Sequence, residues 1–440
     1  MFRYYIKLGA LSIRRNPVLS ALMVAAIAVG IGACMTIVNI QYVMGANPIP
    51  HRSDILFHVQ LDNWDPYEAA VEPDLPPQQV TYRDGTSLLA AHQARRQVLS
   101  YRTWRVIEPE ERERLPIMVQ TRSTTADFFP MFDTPFLYGS GWDRSADDNE
   151  EYVVVLNKEI NEQLFGGENS VGRTVVMNGD RYKVMGVLDT WDPMPKFYDL
   201  NNQQFGAPEE AYFPFSVSIA KEIGSNGNTS CWKAPEQNGW QAFLNSECVW
   251  MQFWVELHGN AEKQAYVDYL DAYVEGQKEL GRFPRPLNNR LSNVMEWMEI
   301  EGVVADDVQV LLGLAVLFLL VCLLNTIGLI LAKVMRRAGD ISLRRALGAS
   351  RRAIFGQYIV EAGVIGAAGG ILGIATTWLG LQGIRALYGQ NERLIEHVSR
   401  LDWSMILLAT GLAIVSALGA ALYPTWRACS IPPATQLKTL

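Results

Sequence analysis

Four long apolar runs mark this chain, and a polar block of about 260 residues separates the first from the other three. The runs fall at residues 17–45, 306–332, 353–383 and 403–424. At 1.5 Å per residue each can cross a bilayer as a helix. Pro17 suits the first turn of the first run. That run is longer than a signal-peptide core, and bulky Met44 stands where a cleavage site wants a small residue, so a retained helix is expected. Residues 1–16 predict a short interfacial helix with Phe2, Tyr5, Ile6 and Ile13 toward lipid. Trp403 and Trp426 bracket the last run at about 34 Å along a helix, the separation of two interfacial belts. In the third run, Gly366 and Gly370, and Gly369 and Gly373, form overlapping G-x-x-x-G pairs. They predict close helix contact or simply reflect the tolerance of membrane helices for glycine.

The polar block reads differently. Alternating or β-branched stretches at 55–61, 152–156, 174–177, 182–188 and 250–257 predict strands. Asn178-Gly179 between two of them predicts a hairpin turn. Residues 260–280 predict a helix with Tyr266, Leu270 and Tyr273 on one face. Segments 73–77, 192–195 and 224–239 are rich in Pro and Gly and predict loops. Residues 288–307 are expected to run helically into the second span, as a stalk. The expected fold class is an α-helical membrane protein with four transmembrane helices plus a large α+β extracytoplasmic domain, residues 46–305, inserted between helices 1 and 2.

Charge supplies the orientation. Net charge is −8 over 440 residues, and mean hydropathy is +0.03, too low for a chain made mostly of membrane helices. The cations are segregated. Residues 1–16 hold Arg3, Lys7, Arg14 and Arg15 with no acid. Segment 333–352 holds Lys333, Arg336, Arg337, Arg344, Arg345, Arg351 and Arg352 against Asp340 alone. Cationic loops stay cytoplasmic. Both termini (the tail being 425–440) and segment 333–352 are therefore expected inside, with the large domain and loop 384–402 outside. The basic residues report topology, so a nucleic-acid partner has no support. Cys231 and Cys248 lie in the outer block, where a disulfide is redox-permitted; two free or buried thiols are the alternative. Cys34, Cys322 and Cys429 lie in or near the apolar runs.

No catalytic motif is present. The chain has no G-x-x-x-x-G-K-[ST], no H-E-x-x-H and no G-x-S-x-G, so no catalytic, cofactor or metal residue is expected in it. Asp62, Asp65, Asp147 and Asp148 read as solvated acids. Glu361 lies inside the third run, where an ionisable group usually faces protein; a structural or coupling role is expected, with substrate binding as an alternative. Asn325, in the second run, reads as an interhelical hydrogen-bonding group.

Several segments carry a family resemblance. They are IRRNPVLSALMVAAIAVGIGA at 13–33, DFFPMFDTPFLYGSGWD at 127–143, the Leu164-Phe165-Gly166, Val171-Gly172 and Val184-Met185-Gly186-Val187 elements, ISLRRALGASRR at 341–352, and YPTWRACSIPPATQLK at 423–438. Together they resemble FtsX-like, MacB-like ABC transporter permeases with a periplasmic core domain and no fused ATPase. The resemblance implies a bacterial inner-membrane protein that couples ATP hydrolysis on a separate ATPase subunit, where ATP and Mg would sit, to motion of its periplasmic domain. It implies an ATPase-coupling surface of Arg336, Arg337, Asp340, Leu343, Arg344, Arg345, Ala346, Leu347 and Gly348. Leu343, Ala346 and Leu347 would be its apolar face, the arginines its charge contacts, and Gly348 a helix end. Merely fixing topology and binding anionic lipid is the alternative role for those arginines. The family pattern has Glu and Gly where Asp340 and Ser342 stand here, which suggests an altered ATPase contact and a heterodimer with a second permease; a homodimer is the alternative. A periplasmic adaptor and outer-membrane channel would follow if the task is efflux of peptides, antibiotics or other amphiphiles. Lipoprotein release and signalling to a cell-wall hydrolase are the other family tasks.

Overall fold

A computed structural model describes residues 16–109, 115–387, 392–399 and 403–430. The expected interfacial helix and the last residues of the tail lie outside them. The chain divides into two units. One comprises Met1–Gly45 with Val304–Leu440, the other Ala46–Val303.

The first helix, α1, spans Pro17–Gly45. The inserted unit then builds a mixed sheet of eleven strands: β1 (Leu56–Gln60), β2 (Val80–Thr81), β3 (Arg96–Glu108), β4 (Ile117–Thr124), β5 (Phe136–Gly139), β6 (Val153–Leu156), β7 (Thr174–Met177), β8 (Asp180–Leu188), β9 (Ala211–Pro214), β10 (Val249–Glu256) and β11 (Arg290–Asn293). The order is β11-β1-β10-β3-β4-β9-β6-β8-β5, with β2 on β10 and β7 joining β3 to β8. Strands β3, β4, β9, β6, β8 and β7 thus pair in a closed ring. Closure satisfies both edges of every strand in it, and Val119, Val154, Met177, Tyr182, Val184 and Phe213 pack together as one core. In β8, Tyr182 and Val184 are buried while Arg181 and Lys183 face out, as a period of two requires. Asn178 and Gly179 both adopt positive φ, 48° and 84°, in a two-residue turn that sets Met177 opposite Asp180.

The helices of this unit include α2 (Tyr82–Ala91), α3 (Gly259–Glu279) and α4 (Val294–Ile300), beside shorter ones such as Lys158–Phe165. Tyr266, Leu270 and Val274 recur every four residues along α3 and pack with Phe253 and Val255 of β10. Trp254, pointing the other way from β10, joins Phe128, Phe132, Tyr198 and Trp297 in a second core. His58 stacks on Trp297 at 3.9 Å between ring centroids, and burial pushes its pKa down to about 3, so it stays neutral there.

The expected continuous stalk is corrected. Residues 290–293 pair with β1 as a strand. Helix α4 starts only after a capping box, in which Asn293 Oδ1 accepts from Glu296 N at 2.9 Å and Glu296 Oε2 accepts from Asn293 N at 2.9 Å. It stops at Gly302, φ +57°, where Gly302 N and Val303 N donate back to Glu299 O and Met298 O. Helix spacing over 288–307 hid a strand, a cap and a stop. Two acids read as solvated are also corrected. Asp62 is 3 % exposed and accepts from Arg285 Nε and Asn288 Nδ2, each at 3.0 Å. Asp147 accepts from Ala126 N at 2.7 Å and Trp142 Nε1 at 3.0 Å. Burial raises its pKa to about 6 against those two bonds.

Glu301, beside the α4 stop, accepts from Gln78 Nε2 at 2.7 Å, yet burial raises its pKa to about 7 from 4.5. The folded state therefore holds this proton more tightly than the unfolded chain. Stability from this group falls as pH rises from 4.5 toward 7 and stays low above. Glu301→Gln should flatten that slope and raise the melting temperature at pH 8 but not at pH 4. An unchanged pH profile in thermal unfolding would refute the assignment.

The membrane unit continues with α5 (Asp306–Arg336), α6 (Ala338–Ala346), α7 (Arg351–Leu387), α8 (Glu392–Ser399) and α9 (Trp403–Ser430). Among the described residues four helices, α1, α5, α7 and α9, are long and apolar enough to span a membrane. The two glycine pairs of α7 serve different neighbours. A Cβ on Gly366 would lie 2.6 Å from Ala417 Cβ, and one on Gly370 3.0 Å from Ala413 Cβ, both on α9. A Cβ on Gly369 would lie 2.7 Å from Ile27 and one on Gly373 3.2 Å from Ile31, both on α1. Close approach on two sides is thus the reason for the overlap.

Candidate coupling site

Helix α6 is set by its ends. Arg337 breaks the helical run after α5. At the other end Gly348 takes φ +100°, its N–H donates to Arg345 O at 3.1 Å, and Ala349 N donates to Arg344 O at 3.0 Å. This paired closure needs a left-handed residue, which glycine supplies without strain. Ser350 then caps α7, its Oγ accepting from Ala353 N at 3.2 Å.

One face of α6 is anchored and the other is open. Ile341 and Ser342 are buried, and Ile341 packs into the bundle core with Val334 and Ile354. Leu343 is 53 % and Leu347 80 % exposed, and Ala346 and Gly348 are exposed beside them. Arg336 and Arg344 are exposed, Arg337 and Arg345 half-buried. Arg344 Nη1 donates to Gln357 Oε1 at 3.3 Å. Asp340 belongs to α6, but its side chain lies outside the described residues. The expected coupling residues therefore lie on one short helix and its two flanks, where two exposed leucines four apart are ringed by guanidinium groups.

Lys333 does not join this basic surface. It is 4 % exposed, its Nζ lies 2.5 Å from Glu361 Oε1 and donates to Ser20 Oγ at 3.3 Å. The end of α5, the second turn and beyond of α7, and the start of α1 meet at this group. Sequence reading singled out Glu361 and counted Lys333 among the loop cations, and it missed that the two pair. The signal was present. Lys333 lies fifteen residues before Gly348 and Glu361 thirteen after it, so an antiparallel hairpin brings them level. Also missed was Asn39, buried in α1, whose Nδ2 donates to Val398 O of α8 at 2.5 Å.

Asn325 is exposed on α5, and its side chain makes no hydrogen bond among the described residues. In the inserted unit, Cys231 and Cys248 form a disulfide.

A family model for the MacB-like periplasmic core domain matches residues 20–273, and one for the FtsX-like permease C-terminal region matches 312–433. The chain belongs to the MacB-like, FtsX-like ABC transporter permease family. It is thus a multi-pass membrane protein of the permease type. The macrolide export ATP-binding/permease protein MacB of Syntrophobacter fumaroxidans is 23 % identical over 344 residues, 72 % of this chain and 46 % of that protein. An ABC transporter permease, YvrN, of Bacillus subtilis is 27 % identical over 252 residues, 56 % of this chain and 54 % of that one. This permease thus spans about half the length of the curated relatives it matches. The crystal structure of the periplasmic region of MacB from Actinobacillus actinomycetemcomitans aligns with 13 % identity and a TM-score of 0.36, covering 57 % of this chain and 94 % of that one.

Proposed function

We propose that α6 docks on a separate ATPase subunit, which holds ATP and Mg, and that its motion is passed through the helices to the extracytoplasmic domain. The observation that carries this reading is the exposed Leu343–Leu347 face ringed by Arg336, Arg344 and the half-buried Arg337 and Arg345. Burying each leucine would contribute about 1.5–3 kcal/mol, and the guanidinium groups offer planar charge-assisted contacts to carboxylates. Segregated cations support α6 and both termini in the cytoplasm and the inserted domain outside. The disulfide fits that compartment. The task we assign is efflux of peptides, antibiotics or other amphiphiles, a reading supported by relatives whose names specify macrolide and pyoverdine export. Asn325 supports a dimer of permeases. A side-chain amide open on a membrane helix needs a hydrogen-bonding partner, and a second permease against α5 would provide one.

Affinity capture of the full chain from native membranes, with mass spectrometry of what accompanies it, tests the reading. The wild type should retain an ABC ATPase. Leu347→Glu should lose at least about 90 % of it by placing a charge on the apolar contact, while the inserted domain melts unchanged. Capture without any ATPase, or full retention by Leu347→Glu, would sink the docking model.

A further inference from the structure

A cavity of about 610 Å³ in the inserted unit lies under the disulfide-tied insert. Cys231 and Cys248, separated by 17 positions, pin the segment that forms one wall; residues 281–284 and the start of α2 form the other. Nothing in the coupling reading uses this cavity.

Its polar groups are unevenly satisfied. The two carboxylates are engaged. Glu247 accepts from Arg282 Nε at 2.5 Å, Arg282 Nη2 at 2.9 Å and Asn63 Nδ2 at 3.0 Å. Glu236 is paired with Lys233 at 3.0 Å. The donors are not. The Trp232 indole N–H is shielded from solvent and has no partner among the described residues. Arg83, 40 % exposed, meets a carboxylate only at 3.9 Å, too long for a hydrogen bond. Gln237, Gln241 and Asn245 are exposed and make no side-chain hydrogen bond among the described residues. Pro66, Pro235 and Pro284 add rigid apolar surface without N–H groups of their own.

A cavity with a guanidinium lacking a close carboxylate, and with free amides that can both donate and accept, suits an anionic ligand that carries amides of its own. A peptide presents carbonyls for the indole and the amides, apolar side chains for the proline surfaces, and a carboxylate for a guanidinium. We propose that this cavity binds a short peptide bearing a carboxylate, with Arg83 pairing the carboxylate and the Trp232 N–H meeting a peptide carbonyl.

The test uses the full chain in nanodiscs without nucleotide, so it reads independently of ATPase docking. A randomised hexapeptide library with free C-termini, its C-amidated twin, and a mixture of neutral oligosaccharides are passed over immobilised protein. Retained molecules are sequenced by mass spectrometry. Peptides with free C-termini or Asp and Glu side chains should be enriched. Arg83→Met should cut their retention at least about tenfold, and Trp232→Phe, which keeps the ring and removes the N–H, at least threefold. Both variants should keep the wild-type melting curve. The proposal is overturned by no enrichment in the wild type, by equal retention in both folded variants, or by preferential retention of the oligosaccharides.

Discussion

Lys333→Met should destabilise the membrane unit by about 3–5 kcal/mol, because it removes the lysine that pairs with the buried Glu361 carboxylate. Both side chains are 4 % exposed and meet at 2.5 Å. Their attraction is strong because the surroundings are apolar, and for the same reason a lone charge there is costly. Glu361→Leu should be comparably harmful, leaving Lys333 hydrogen-bonded to the neutral Ser20 hydroxyl. The exchanged pair Lys333→Glu with Glu361→Lys should recover most of the loss. The double variant Lys333→Met with Glu361→Leu should also be well tolerated, since two apolar groups leave no uncompensated charge. Thermal unfolding of the detergent-purified chain reads all four. If both single variants melt like wild type, the pair is not the tie between α1, α5 and α7. The same pair lies one turn before α6, so the single variants should also weaken ATPase capture, and the exchanged pair should restore it.

Much of the architecture was legible because its signals are strong and local. Spans of twenty or more apolar residues have no other stable use, and Asn178-Gly179 dictates its turn through positive φ at both positions. Strand β3 was not anticipated. Its sequence, RQVLSYRTWRVIE, carries charges along much of its length, and its pairing with β10, β4 and β7 is what makes it a strand. Strand β11 failed for the same reason: four residues, RLSN, paired with β1 but flanked by helix-like sequence. At the coupling helix, the residues were found by resemblance, whereas their division into an anchored face (Ile341, Ser342) and an open one (Leu343, Leu347) needed the packing of the bundle. The Lys333–Glu361 pair is a tertiary fact between two helices. A lysine next to arginines looks like loop charge until the depth of its partner is known.

A tertiary network of the same kind governs the inserted domain, and Arg122→Met should reveal it by a reversal of pH dependence. Arg122 of β4, Lys196, Asp199 and Glu209 are all fully buried or nearly so. Arg122 Nη2 pairs with Asp199 and, at 2.6 Å, with Glu209 Oε1; Lys196 Nζ reaches Glu209 at 3.1 Å. Tyr198 OH donates to Glu209 Oε2 at 3.0 Å, and Gln252 Nε2 of β10 to Asp199 Oδ1 at 3.1 Å. Two positive and two negative charges balance. Burial acts to raise the Glu209 pKa, but Arg122 and Lys196 outweigh it and hold the carboxyl far below its usual 4.5. In the wild type a depressed folded pKa gives stability that is full above pH 4.5 and is lost as pH falls further. In Arg122→Met, Glu209 keeps Lys196 as its buried cation, burial prevails, and its folded pKa rises above the unfolded value. That variant should lose about 3–5 kcal/mol at pH 8 and regain part of it as pH is lowered toward 5. Glu209→Gln, by contrast, should be destabilised with little pH dependence from this site, since its remaining carboxylate still has both cations. Melting temperatures of the full chain between pH 3 and 8 decide the matter. A variant whose stability falls with acidification in parallel with wild type would show that Arg122 is not what keeps these carboxylates charged.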